Sequence, residues 1–189
     1  MDIRIIDETR RDDIRLKNEP FPLYGRMIPR YEGEQWDYEI RLFPESEITE
    51  MCFPDEEYDF DAMKADTVFL GAYDGEACVG LAILQDHFFK YMYLYDFKVL
   101  RAYRRRGVGQ ALIEKAKGIA LSRGYRGIYT VGQDNNLGAC NFYIKAGFHI
   151  GGFDNRVYTG TRQEGKADII FYLDCLEGQD GNLSRGKNS

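Results

Sequence analysis

The feature that most constrains the fold is a strand that runs directly into a glycine-containing turn and a long helix. Residues 94–100 are aromatic and β-branched, with Phe97 and Val99 on the same face. Residues 104–109 then have the pattern Arg-x-x-Gly-x-Gly, and an amphipathic pattern continues to about Arg123. The stretch therefore predicts a strand whose end leads straight into the start of a helix.

The start of that helix has the properties of a phosphate-binding site. The first N–H groups of a helix are unpaired and carry partial positive charge, and Gly107 and Gly109 would let an anion approach them. The chain has a net charge of −6, yet four arginines lie within six residues: Arg101, Arg104, Arg105 and Arg106. This favours a small polyanionic ligand over a nucleic acid. An ordinary turn with solubilising arginines is the alternative. Dinucleotide and P-loop patterns fail, because Leu112 stands at the next glycine position and no Gly-Lys-Ser/Thr follows.

The surrounding patterns predict an α/β protein of the α+β type. Residues 67–73 and 77–84 are apolar and joined through Asp-Gly, which predicts a hairpin, and the strand at 91–100 extends it into an antiparallel meander. The passage from strand to helix to the strand at 126–132 predicts a parallel pair. The remaining predicted elements are a strand at 2–6, a short polar helix ending near Leu16, a helix at 137–145 and closing strands at 148–153 and 167–173.

Length and composition predict one domain. At 189 residues and 44% hydrophobic content, the chain suits a single core over residues 1–175, and the Gly-, Asn- and Ser-rich residues 176–189 suggest a disordered tail. The apolar stretches are short and no secretory segment is evident, which predicts a cytoplasmic protein without a membrane partner. Four scattered cysteines and two histidines favour reduced structural thiols and no metal site, over zinc binding or a thiol nucleophile.

Two segments before the hairpin are less regular. In residues 18–44, prolines and Gly25 are expected to break regular structure, while aromatic residues supply apolar surface; residues 36–43 alternate like a half-exposed strand. This segment is either the wall of a ligand pocket or a packed loop. Residues 55–66 are strongly acidic, which indicates either a solvated loop or a mouth that attracts cations.

Two motifs resemble the GNAT superfamily of N-acetyltransferases. The first is Val99-x-x-x-Tyr103-Arg104-x-x-Gly107-x-Gly109, and the second is Asn136-x-x-Ala139-x-x-Phe142-Tyr143-x-x-x-Gly147-Phe148. The resemblance covers residues 67–173. It implies a central mixed, mostly antiparallel, splayed sheet of about six to seven strands flanked by helices, with acetyl-CoA as co-substrate between two splayed strands and no metal.

The resemblance also implies which residues hold acetyl-CoA. The pyrophosphate would lie on the main chain of the Arg-x-x-Gly-x-Gly turn, the pantetheine arm would pair with the main chain of the preceding strand, and an asparagine would hold the far arm. The implied residues are Phe97, Val99, Arg104, Arg105, Arg106, Gly107, Val108, Gly109, Gln110, Asn136 and Tyr143.

The chemistry expected is direct transfer, in which a primary amine attacks the thioester carbonyl. Because an ammonium cannot attack, a group must accept its proton. Asp96 is the candidate base or water-orienting group; a structural or substrate-anchoring carboxylate is the alternative. The Val99 N–H would stabilise the oxyanion. Tyr143 is the candidate acid that reprotonates the thiolate, because a phenol stays protonated at neutral pH; a core tyrosine is the alternative.

Further residues resemble the streptothricin acetyltransferases within this superfamily. They are Glu19-Pro20-Phe21, Ile28-Pro29-Arg30-Tyr31-Glu32, Trp36 and Gln133-Asp134-Asn135-Asn136-Leu137 with Ala139-Cys140. This implies acetylation of the β-lysine amine of a cationic antibiotic, with residues 18–66 contributing the acceptor site. The candidate substrate-binding residues are Trp36, Tyr38, Glu39, Asp55, Glu56, Asp59 and Asp96.

Other functions remain open on the sequence. A GNAT enzyme acting on a polyamine, an aminoglycoside or a protein N-terminus is the first alternative, and a non-catalytic acyl-CoA-binding module is the second. A nucleic-acid partner is disfavoured because the rest of the chain is acidic and would repel phosphate. The family resemblance is compatible with a homodimer.

Overall fold

The computed structural model describes residues 1–175 as a mixed α/β protein. In chain order the strands are β1 (Asp2–Ile5), β2 (Phe21–Leu23), β3 (Gly25–Glu32), β4 (Gln35–Leu42), β5 (Thr49–Met51), β6 (Thr67–Asp74), β7 (Ala77–Gln85), β8 (Tyr91–Val99), β9 (Gly127–Gln133), β10 (His149–Asp154) and β11 (Asp168–Asp174). The α-helices are α1 (Phe60–Met63), α2 (Val108–Ser122) and α3 (Leu137–Lys145). The segment predicted to be a disordered tail, 176–189, lies outside the described residues.

The central sheet has seven strands in the order β1-β6-β7-β8-β9-β11-β10. Its β6–β7–β8 part is the predicted antiparallel meander, and β8 and β9 are parallel, as the strand–helix–strand passage predicts. The two closing strands pair with each other, and β11 also pairs with β9. The predicted mixed, mostly antiparallel sheet of about six to seven strands is therefore confirmed.

The parallel strands β8 and β9 diverge soon after they meet. Their pairing runs from Tyr91 opposite Gly127 to Tyr93 opposite Tyr129. Beyond that point β8 continues beside β7 alone, while β9 stays paired with β11 as far as Gln133. The sheet therefore opens into a wedge, and one edge of β8 has no strand partner there among the described residues.

A β-bulge lies on β8 at the start of this wedge. Ile83 of β7 pairs with Asp96, but the next residue of β7 pairs with Leu94, so Tyr95 is an extra residue. Leu94 is buried on the face of the sheet that packs against α2. The extra residue places both Tyr95 and Asp96 on the opposite face, and after them Phe97 returns to the α2 face.

The core is divided between the two faces of the sheet. The larger cluster packs α2 and α3 against β6 to β11, and the smaller one packs residues 8–15 and α1 against β6 and β7. On α2 the buried positions are Val108, Leu112, Ile113, Ala116 and Ala120. Ile119 is partly buried and packs against the same cluster.

The N-terminal segment is more regular than its prolines suggest. Pro22 lies in β2 and Pro29 lies in β3, so the expectation that these residues break regular structure is wrong. Each strand belongs to a two-stranded ribbon, in which alternate N–H groups face away from the partner and proline loses nothing. The β3–β4 ribbon is joined to the sheet by the Met27 N–H, which donates to the Asp134 carbonyl at 2.9 Å.

No helix in residues 1–175 is long and apolar enough to cross a membrane. Within the same residues, no group of three or more His, Cys, Asp or Glu side chains is arranged to hold a metal ion.

Candidate active site

The turn between β8 and α2 exposes main-chain donors at the start of the helix. The first hydrogen bond into α2 runs from the Ala111 N–H to the Gly107 carbonyl at 3.0 Å. The N–H groups of Val108 to Gln110 therefore precede the intrahelical ladder. Gly107 has a φ of 82°, in the left-handed region that favours glycine, which reverses the chain at this point. This geometry fits an anion-binding turn.

Gly109 allows the helix start to lie close to β8 and α3. A Cβ at this position would lie 2.9 Å from Cε2 of Phe142. The Phe142 ring in turn stacks on Phe97, with 5.2 Å between ring centroids. The missing side chain at Gly109 therefore decides how closely the anion-binding turn approaches the wedge.

The arginines of the turn have specific contacts. Arg104 Nε donates to the Val99 carbonyl at 2.8 Å, and its guanidinium lies 3.6 Å from Glu19. Arg106 lies over the Tyr103 ring at 5.7 Å from its centroid. Arg105 has a φ of 58° and its side chain is exposed, as is that of Gln110. The positive charge thus surrounds the helix start, where a phosphate would be stabilised.

The free edge of β8 presents main-chain groups to the wedge. The Leu100 N–H donates to the Val79 carbonyl of β7 at 2.9 Å. Because neighbouring residues of a strand alternate in direction, the N–H groups of Val99 and Phe97 and the Phe97 carbonyl point the other way, toward the wedge, while the Val99 carbonyl accepts from Arg104. These are the groups that the family resemblance assigns to the pantetheine arm.

Tyr143 lies where β8 and β9 separate. It is 7% exposed and packs against the rings of Phe97, Phe148 and Phe171. Burial raises the pKa of its phenol, against the opposing effect of a side-chain hydrogen bond with Thr130. Thr130 itself donates to the Leu94 carbonyl of β8 at 2.9 Å, across the start of the wedge. The phenol is therefore held protonated at neutral pH.

Asn136 uses its side-chain oxygen within the protein. Its Oδ1 accepts the Ala139 N–H at 3.2 Å and caps the start of α3. Within residues 1–175 the amide NH₂ of Asn136 has no hydrogen-bond partner, so the cap leaves it available for the role that the family resemblance implies.

Asp96 belongs to a small charged network on the face opposite α2. Lys98 Nζ lies 3.0 Å from Asp96 Oδ2 and 2.6 Å from Glu56 Oε2, and the Tyr58 hydroxyl donates to Asp96 Oδ2 at 3.0 Å. Burial raises the pKa of Asp96, although the charge of Lys98 opposes this. Burial lowers the pKa of Lys98, but the carboxylates of Asp96 and Glu56 raise it by more, so the net shift of the Lys98 pKa is upward.

The other candidate acceptor-binding residues are not all in this network. Trp36 and Tyr38 lie on the β4 face that packs toward the core, and Glu39 faces the other way, where it pairs with Arg30 and Arg41. Two acids have local structural contacts: Asp55 accepts the Asn18 N–H at 2.7 Å, and Asp59 caps α1. Among the predicted acceptor-binding acids, Glu56 is therefore linked to Asp96 through Lys98, whereas Asp55, Asp59 and Glu39 make other contacts.

Two members of the network were not identified from the sequence. Lys98 has a local signal, because it is two residues from Asp96 and shares its strand face. Tyr58 has none, since its contact with Asp96 spans 38 residues of chain. Only tertiary structure brings these two elements together.

These features fit acetyl-CoA. Three features lie one after another along the wedge: the phosphate-binding start of α2, the close contact that Gly109 allows between this helix and Phe142, and the unpaired edge of β8. This order suits a long ligand with phosphates at one end and amides along its arm. The chain's own donors would hold it.

Comparisons with known proteins agree with this geometry. Residues 31–148 match the Acetyltransferase (GNAT) family. The chain is 31% identical over 160 residues to streptothricin acetyltransferase A of Bacillus subtilis (strain 168), which covers 85% of this chain and 92% of that protein. It is 37% identical over 120 residues to a streptothricin acetyltransferase of Escherichia coli, covering 64% of this chain and 69% of the relative.

A solved structure extends the comparison to three dimensions. A Bacillus anthracis str. Ames protein, assigned as a streptothricin acetyltransferase and crystallised in complex with acetyl coenzyme A, superposes with a TM-score of 0.80 at 29% identity. The superposition covers 91% of this chain and 96% of that one, so it includes most of the N-terminal segment as well as the wedge. The chain therefore belongs to the GNAT family of acetyltransferases and is an acetyl-CoA-dependent acyltransferase.

Proposed function

We propose that this enzyme acetylates the primary amine of the β-lysine moiety of streptothricin-type antibiotics and thereby confers resistance. The observation that carries the proposal is the extent of the similarity to streptothricin acetyltransferases, which covers 92% of the Bacillus subtilis relative. Acceptor pockets diverge most within this family, so similarity that includes the N-terminal segment is informative about the acceptor. The acidic surroundings of Asp96 support a cationic substrate.

Asp96 is the proposed proton acceptor or water-orienting group. Both protein donors bind its Oδ2, and among residues 1–175 Oδ1 has no hydrogen-bond partner. The attacking amine must lose a proton, and burial has raised the pKa of Asp96, which makes it a stronger base than an exposed aspartate. The bulge at Tyr95 supports this role, because it turns Asp96 to the face opposite the α2 core.

Val99 and Tyr143 are the proposed partners of the thioester. The Val99 N–H on the free edge of β8 would bind the carbonyl oxygen and, more strongly, the oxyanion that forms during attack. Tyr143 would then donate its proton to the leaving thiolate, and its raised pKa keeps that proton available at neutral pH. The wedge between β8 and β9 supports both roles, since it brings these groups to one opening.

The remaining site assignments are also proposals. The turn from Arg104 to Gln110 would hold the pyrophosphate, and Asn136 the far arm of acetyl-CoA. Residues 18–66 would contribute the acceptor site within a single domain of residues 1–175. Trp36 and Tyr38 would supply apolar surface to it, with Glu56 and Asp96 as its acidic contacts.

The test is free-thiol release from acetyl-CoA with streptothricin, a polyamine, an aminoglycoside and no acceptor, run in parallel. We expect fast turnover with streptothricin and at most slow release with the others. Turnover only with another amine would retain the acetyltransferase and discard the antibiotic as substrate. Expression in a sensitive bacterium should also protect it against streptothricin; no protection by an active enzyme would contradict the resistance function.

A further inference from the structure

Lys98 has an environment unusual for a lysine. Its side chain is 9% exposed, and its ammonium lies between two carboxylates, 2.6 Å from Glu56 and 3.0 Å from Asp96. It also lies 5.7 Å above the Tyr58 ring. A buried ammonium is costly unless it is paired and hydrogen-bonded, so the position of Lys98 is set by these partners.

The network determines which oxygen of Asp96 is free. Lys98 and the Tyr58 hydroxyl both contact Oδ2, while Oδ1 has no protein donor in the described chain. Two contacts to one oxygen fix the rotation of the carboxylate. The unpaired oxygen is consequently held in a defined direction.

The second carboxylate is itself anchored. Asn18 Nδ2 donates to Glu56 Oε2 at 3.0 Å and to the Pro54 carbonyl at 2.8 Å. Asn18 therefore ties Glu56 to the main chain of the N-terminal segment independently of Lys98. With Lys98 protonated, the two carboxylates and the ammonium carry one net negative charge.

We propose that Lys98, which Glu56 holds in place, is the positioning residue for Asp96: its ammonium favours the ionised carboxylate and directs Oδ1 toward the incoming amine. The two carboxylates and the Lys98 ammonium together keep one net negative charge, which suits one substrate ammonium. This inference rests on the proposed role of Asp96. It adds a function for a residue that touches neither the thioester nor the amine.

The pH dependence follows from the groups that face Asp96. On the same face of the sheet these are Lys98 and Tyr95 from β8 and Glu56 and Tyr58 from the segment before α1; the Tyr143 phenol, which packs on the α2 face, also interacts with Asp96 electrostatically. Asp96 must be ionised to accept a proton, so activity falls as the pH drops through its pKa. Removal of Lys98 leaves two like charges in a half-buried site and should raise that pKa by about 1–3 units.

The test compares Lys98→Met and Lys98→Arg with Lys64→Met as the matched control, because Lys64 also bridges two carboxylates but on the exposed surface. The pH profile of kcat is measured with whichever amine the wild type acetylates best. We expect Lys98→Met to lower kcat about 10- to 100-fold and to move its acidic limb to higher pH, since positioned proton transfer contributes about 10²–10⁴-fold. Lys98→Arg should restore most of the rate, and the KM for acetyl-CoA should not change.

A second variant separates positioning from folding. Glu56→Gln removes the like charge, so it should move the acidic limb to lower pH, opposite to Lys98→Met. If the network were merely structural, the two variants would not shift the acidic limb of the kcat profile in opposite directions. Superimposable profiles for wild type, Lys98→Met and Glu56→Gln would overturn the inference. The Asp96→Asn variant separates a failure of the proposed role of Asp96 from a failure of the positioning role of Lys98. Wild-type activity in Asp96→Asn would refute the role of Asp96 itself. A slow Asp96→Asn enzyme beside an unaffected Lys98→Met enzyme would refute only the role of Lys98.

Discussion

At the scale of single residues, the proposed chemistry depends on two side chains held in contrasting states. The phenol of Tyr143 is buried and its pKa is raised, so it keeps its proton. Asp96 is also buried, but Lys98 opposes the rise in its pKa. Burial thus keeps the proton on the acid, and Lys98 favours the ionised form of the base; these are the two states that proton transfer from an amine to a thiolate requires.

Replacement of Tyr143 with Phe tests the acid. The ring packing against Phe97, Phe148 and Phe171 should survive, since only the hydroxyl is lost. We expect kcat to fall by about 10²-fold or more, with little change in acetyl-CoA affinity measured by calorimetry. An unchanged kcat would remove Tyr143 from the mechanism.

The site was only partly predictable from residues in sequence. Asp96, Val99 and Tyr143 could be named because the family motifs surround them. The network around Lys98 could not, because Tyr58 and Glu56 reach it from about 40 residues away along the chain, and no local pattern encodes such a contact.

At the scale of elements, the β8–turn–α2 unit was the most predictable part of the molecule. The predicted helix after the Arg-x-x-Gly-x-Gly turn and the predicted bounds of α3 agree with the structure. Gly107 precedes α2, and Gly124 and Gly147 follow the ends of α2 and α3, each with left-handed backbone. The bulge at Tyr95 was not predicted, because the residues before it and those after it each keep the alternation of an ordinary strand. The prediction that the prolines of residues 18–44 break regular structure was wrong, because a two-stranded ribbon tolerates proline at positions whose N–H would face away from the partner strand.

Gly109 offers a test of the helix start. A methyl group in Gly109→Ala would meet Phe142 and displace it from Phe97, so we expect a stability loss of about 1–3 kcal/mol and a higher KM for acetyl-CoA. Gly118, in the middle of the same helix, has open space and is the matched control; Gly118→Ala should stabilise by about 0.5–1 kcal/mol. Denaturant unfolding and steady-state kinetics measure both. Identical behaviour of the two variants would contradict the close-packing role of Gly109.

At the scale of the whole molecule, the N-terminal segment and the sheet share one core. Met27 of β3 is fully buried in the larger hydrophobic cluster, and its N–H is bonded to Asp134 at the end of β9. These contacts support the proposal that residues 1–175 form a single domain.

The sole tryptophan of the chain makes this testable. Trp36 lies in β4 of the N-terminal ribbon, so its fluorescence reports on that ribbon, while far-UV circular dichroism reports on all elements. We expect the two unfolding transitions in denaturant to coincide, as for one cooperative unit. A fluorescence transition at lower denaturant would instead mean that the ribbon detaches before the sheet unfolds.

The most direct test of the central claim is the chemical identity of the product. Streptothricin is incubated with acetyl-CoA and the enzyme, and the product is analysed by mass spectrometry and NMR. The account predicts one added acetyl group on the β-lysine amine, formed at a much lower rate by Asp96→Asn. An unmodified antibiotic, or an acetyl group at a different position, would contradict it.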